Sequence, residues 1–112
     1  MELNKFIASA RNSNLGVEKF CKIKTYLTVK EKINFIQEYY KTLSDMFKGD
    51  EYNNVENLVA FVVFNLMVVK KYTNIELDIS FESMDLLQSN NLINKIVTKI
   101  GDDYKMLLEF IK

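Results

Sequence analysis

Twelve consecutive residues, Leu58 to Val69, are apolar except for Asn65. Such a stretch has no polar face to offer water, so whatever it forms must be surrounded by the rest of the chain. Six valines (Val55, Val59, Val62, Val63, Val68 and Val69) suit a strand as well as a helix, and periodicity alone does not separate the two. Length does. Asn53 and Glu56 mark a start and Lys70 with Lys71 an end, so the segment reads as one helix over about 54–73 whose charges match the helix dipole. A bilayer span needs about 20 apolar residues, which this run does not reach, so it is read as a core element and not as a membrane segment.

The remaining patterns supply what surrounds it. Leu3, Phe6, Ile7 and Ala10 form an amphipathic N-terminal helix. Thr28 followed by Glu31 has the form of a capping box, and a helix follows. On it Ile33, Ile36, Tyr40, Leu43 and Phe47 form a principal apolar stripe, which Phe35, Tyr39 and Met46 widen; Gly49 suits the position past its end. Ser80 caps a segment with Phe81, Met84 and Leu87. Asn91 caps one with Leu92, Ile93, Ile96, Val97 and Ile100, closed by Gly101, and Asp102 caps a last one with Tyr104, Leu107, Leu108 and Ile111. The expected fold is therefore mainly α: a single domain over 1–112, a compact bundle of five to six helices around a buried central helix. Alternation in 20–27 and 75–79 allows a minor two-stranded ribbon, in which Lys22 and Lys24 would face Glu76 and Asp78; extended linkers are the alternative.

Composition narrows the chemistry. There is no histidine and one cysteine, Cys21, so the usual neutral-pH general base, the four-ligand zinc site and an internal disulfide are all missing from the expected repertoire. Cys21 reads as a small apolar core residue. The acidic neighbours Asp50–Glu51 and Asp102–Asp103 read as solvated charges near helix starts. The three glycines stand apart and make no phosphate-binding loop. No catalytic residue, metal site or cofactor is expected, and the chain is read as a non-enzyme. Without a signal-peptide pattern, the expected setting is intracellular.

Net charge is zero, but residues 1–48 hold nine basic and five acidic residues, while 49–112 hold six and ten. Lys19, Lys22, Lys24, Lys30 and Lys32, with Tyr26 among them, form a basic stretch suited to a weak electrostatic contact with nucleic acid or an acidic protein face. Arg11 is the sole arginine, which argues against base-specific reading. Glu76, Asp78, Glu82 and Asp85 form the densest acidic group. Asn65 is expected to hydrogen-bond inside the fold or to face an open edge of the central helix, or to fix register at a helix–helix contact.

Several segments carry a resemblance: Tyr26-Leu27-Thr28 leading into Glu31-Lys32, Lys71 through Leu77 after the apolar helix, Asp85-Leu86-Leu87, and Ser89 through Ile93. Over about 17–112 the chain resembles small helical proteins encoded by phages and prophages of low-GC Gram-positive bacteria, which often carry a glycine where Asn91 stands. The resemblance implies a phage-encoded protein that acts by binding, in the host cytoplasm or in the virion. It would serve as a virion structural or assembly component, contacting itself or other virion proteins, or as an inhibitor of a host defence or replication protein. A weak lysine-mediated nucleic-acid binder is the further alternative.

Overall fold

The computed structural model describes residues 1–47 and 55–111. Among these, the elements in chain order are α1 (Leu3–Ala10), a 3-10 turn (Val17–Lys19), α2 (Val29–Met46), α3 (Glu56–Tyr72), α4 (Phe81–Ser89), α5 (Leu92–Ile100) and α6 (Asp102–Ile111). Gly49, Asp50, Glu51, Asn53 and position 54, which the sequence assigned to the α2 end and the α3 start, lie outside the described residues.

α3 is the centre of the bundle. Residues 62 to 69 are all buried, Asn65 among them, so two full turns of helix have no solvent side. Its first turns are more open, with Leu58 62% and Phe61 44% exposed. Phe64 projects from α3 between two neighbours, meeting Phe35 and Tyr39 of α2 edge-on at 5.7 and 5.8 Å and Tyr104 of α6 at 5.6 Å. Such aromatic pairs contribute about 0.5–1.5 kcal/mol each beyond their area.

The cap of α2 is formed as its sequence predicts: Glu31 N donates to Thr28 Oγ1 (3.2 Å) and Thr28 N donates to Glu31 Oε1 (2.9 Å). The helix turns a different face inward from the expected principal stripe. Lys32, Phe35 and Tyr39 are buried, Ile36, Leu43, Met46 and Phe47 pack at the margin, and Ile33 and Tyr40 are 51% and 48% exposed. Two apolar stripes on one helix are indistinguishable by spacing; the aromatic contacts with Phe64 decide which one the core takes.

The short helices follow their patterns closely. Leu3, Phe6, Ile7 and Ala10 of α1, Met84 and Leu87 of α4, and Leu92, Ile93, Ile96 and Ile100 of α5 are buried. Phe81, expected on the inner face of α4, is 44% exposed, and Ser83 is buried in its segment. Ser80 Oγ accepts from Ser83 N at 3.2 Å and caps α4. Asn91 precedes α5 without a side-chain cap bond; it serves by adopting φ 57°, ψ 34°, the left-handed conformation in which asparagine is tolerated.

The ribbon pairing 20–27 with 75–79 does not form. Ile23 instead bridges antiparallel to Thr73, and Glu2 bridges parallel to Glu76. Lys24 N donates to Tyr72 O (2.7 Å), Lys22 N to Asn74 Oδ1 (2.9 Å), and Glu76 N to Met1 O (2.6 Å). The stretch after α3 is thus held between the approach to α2 on one side and the N-terminus on the other. Alternation still governs burial, since Cys21, Leu27 and Ile75 are buried while Lys22, Lys24, Glu76 and Asp78 are exposed.

Candidate interaction surface

The site begins with how α6 is fixed. Lys32 Nζ of α2 lies 3.0 Å from Asp103 Oδ1, and both side chains are 6% exposed. Asp103 Oδ2 accepts from Tyr72 Oη at 2.5 Å and from Leu27 N at 2.9 Å. One carboxylate therefore joins α6 to the start of α2, the end of α3 and the segment that leads into α2. Lys32 Nζ also stands 4.3 Å above the ring of Tyr26, which caps the pair on the solvent side. Burial alone would raise the Asp103 pKa, but the donors Tyr72, Lys32 and Leu27 outweigh it and hold the carboxyl below the usual carboxylate value. Burial first, and then the bond to Asp103, raises the Tyr72 phenol, which stays neutral as a donor.

These contacts correct two expectations. Lys32, grouped with the solvent-facing lysines, is a core residue; it sits three and seven residues before Phe35 and Tyr39, on their buried face. Asp103, read as a solvated charge, is buried, while Asp102 beside it is exposed. Asn65 lies inside: its amide donates to Phe61 O (2.9 Å) and its oxygen accepts from Tyr104 Oη (2.8 Å), which ties α3 to α6.

The other basic candidates are dispersed. Lys19 ends the 3-10 turn, Lys22 and Lys24 flank the Thr73 bridge, and Lys30 opens α2; all are exposed. Exposed Tyr26 is engaged with Lys32 and not held within a row of lysines. On the acidic side Glu76, Asp78, Glu82 and Asp85 are all exposed. Glu76 takes the N-terminal amine at 3.5 Å, and Glu2, Glu76 and Asp78 line a common groove with Leu86. Among the described residues the lysines form no ion pair with these acids. Among the described residues, other ion pairs join Lys71 to Glu38 (3.3 Å) and Lys99 to Glu18 (3.4 Å).

The surface that spacing did not single out lies between α2 and α6. The two helices run side by side in the same direction, since Lys32 meets Asp103 and, eight residues further along each helix, Tyr40 Oη donates to Ile111 O at 3.4 Å. Phe35 and Tyr39 of α2 and Tyr104 of α6 point toward α3. On the opposite side of the α2–α6 seam lie Val29 (66% exposed), Ile33 and Tyr40, with Met106 (44%) and Phe110 (58%) facing them from α6. At 100° per residue the three α2 positions fall within about 40° of one another, as do the two on α6, so they form one apolar strip. The signal available in the sequence is the principal stripe of α2, in which Ile33 and Tyr40 are expected to face the core.

Cys21 is buried, donates to Val17 O at 3.6 Å, and its thiol is pushed up to about 11, first by burial and then by Glu18. A thiol so placed is an apolar filler and not a nucleophile at neutral pH. Among the described residues, no three acidic or thiol side chains are gathered in a way that would hold a metal ion, and no helix is long and apolar enough to cross a membrane. Comparison with protein-family models, curated proteins and solved structures finds no match to the chain.

Proposed function

We propose that the chain is a non-enzymatic protein of phage type that works through protein–protein contacts, as a structural or assembly component of the virion, with the α2–α6 face as its contact surface. The observation that supports this reading is the strip of Val29, Ile33, Tyr40, Met106 and Phe110, whose side chains are between 44% and 66% exposed. Exposed apolar residues scattered singly need no partner, but five on one seam leave in water the kind of area that protein contacts cover. The strip is carried on two helices locked together by a buried ion pair, so a partner meets it with little ordering cost. The protein would act in the host cytoplasm during assembly and in the finished particle.

A second reading, inhibition of a host defence or replication protein, is favoured by one observation. Glu76, Asp78, Glu82 and Asp85 are all exposed, and Glu2 lines one groove with Glu76 and Asp78. An acidic surface of that kind suits a basic host protein.

The two readings separate in particles banded from an induced culture of the strain carrying the gene. The structural reading expects the chain in the particle band at constant stoichiometry. Its absence there, together with a tight complex between the chain and one basic host protein, would replace that reading with the second.

A further inference from the structure

We propose that the α2–α6 face is the interface of a symmetric dimer, in which α2 of one protomer lies along α6 of the other, in the same direction. The inference rests on reading this face as a contact surface and adds what occupies it: a second copy of the chain.

The charge at the two edges of the strip selects the occupant. On α2, moving around the helix at 100° per residue away from Val29, Ile33 and Tyr40, the next charges are Lys30 and Lys41, and the acids Glu31, Glu38 and Asp45 come only beyond them. On α6, moving away from Met106 and Phe110, the order reverses: Asp102 and Glu109 come first and Lys105 beyond. The strip therefore has a basic edge along α2 and an acidic edge along α6. A partner that fits needs an apolar strip with the same two edges exchanged, and a second copy turned by a twofold axis presents that arrangement.

Charge also selects the axis. A twofold axis running along the helices sets α2 over the partner's α6 and brings lysine edge to acidic edge at both borders. An axis across the helices would stack α2 on α2 and oppose lysine to lysine, which is unfavourable. The register agrees with the first arrangement. Because Lys32 is level with Asp103, Lys30 lies within about 1.5 Å of the level of Asp102, and Lys41 within about 4.5 Å of that of Glu109. A lysine side chain spans both offsets.

The test is sedimentation equilibrium on the full chain up to about 500 μM, a range that reveals dissociation constants from weak to tight. The expected mass is twice the 13.2 kDa of one chain. Lys30→Glu alone should weaken the dimer at least about tenfold, and Lys30→Glu combined with Asp102→Lys should restore it to within about threefold, because the exchange re-forms both edge contacts. Ile33→Asp should give a monomer. Thermal melts confirm that each variant is folded, and the surface variant Lys30→Glu carries the test if Ile33→Asp unfolds. A wild-type chain that stays monomeric throughout, a dimer indifferent to Lys30→Glu, or a double exchange that fails to restore it would each overturn the proposal. A monomer still found in particles removes the dimer and leaves the virion-component reading standing; a dimer absent from particles removes the virion role and leaves the dimer standing.

Discussion

Lys32 and Asp103, 71 positions apart in sequence, meet at 3.0 Å in the interior, where each is 6% exposed. Two charges removed from water are held only because the remaining valences are filled, on Asp103 by Tyr72 and Leu27 and on Lys32 by the Tyr26 ring. Breaking one partner leaves the other charge uncompensated. Asp103→Asn should therefore lower stability by about 3–5 kcal/mol, and Lys32→Met by a similar amount, while the double change should cost less than the sum. Urea titrations of the four proteins read this directly.

The same pair gives a pH dependence of known sign. Asp103 titrates below its ordinary value in the folded protein, so its contribution is complete above about pH 4 and is lost as pH falls through the lowered value. Tyr72 titrates above its ordinary value, so its contribution is complete below about pH 10 and is lost above that. Wild type should lose stability more steeply than Asp103→Asn when denaturation midpoints are compared between pH 4 and pH 2.

Two backbone positions make opposite demands. Gly101 has φ 76° and ψ −129°, a conformation that side chains rarely adopt, although an added Cβ would come no nearer than 4.0 Å to Thr98 O. Space is available and conformation is not, so Gly101→Ala should cost about 1–3 kcal/mol. At Asn91 the left-handed turn suits glycine as well as asparagine, so Asn91→Gly should change stability by less than about 1 kcal/mol, and Asn91→Val should cost about 1–2 kcal/mol. Melting curves of the three variants distinguish these outcomes.

Tyr104 Oη is the donor to the Asn65 oxygen, and Asn65 is 1% exposed. Tyr104→Phe removes the donor and leaves a buried acceptor without it, at a cost of about 1–3 kcal/mol. Amide exchange should show the loss concentrated in α6 and the facing turns of α3.

Local signals gave the helices, and long-range ones were hidden. The Thr28–Glu31 box, the four-residue stripe of α1 and the near-ideal spacing of α5 each involve neighbours a turn apart, so propensity and packing agree there. The central position of α3 was legible because a helix without a polar face has only one place to go. Lys32 was misplaced because lysine is almost never fully buried unless paired, and its partner stands on another helix. A trace was present all the same, since Lys32 shares a register with Phe35 and Tyr39, and Asp103 precedes the buried Leu107 by one turn. The apolar face was hidden for the converse reason. Val29, Ile33 and Tyr40 satisfy every criterion for a core stripe, and only the positions of α3 and α6 show that the core lies elsewhere.

The proposed role of the α2–α6 seam as the contact surface is tested most directly by measuring how much chain bands with purified particles for wild type, for Ile33→Asp with Phe110→Asp, and for Leu58→Asp, which changes a residue 62% exposed on α3. With melting temperatures matched, wild type and Leu58→Asp should band equally, and the seam variant should be reduced at least about tenfold. Equal banding of all three, or loss with Leu58→Asp alone, would contradict it.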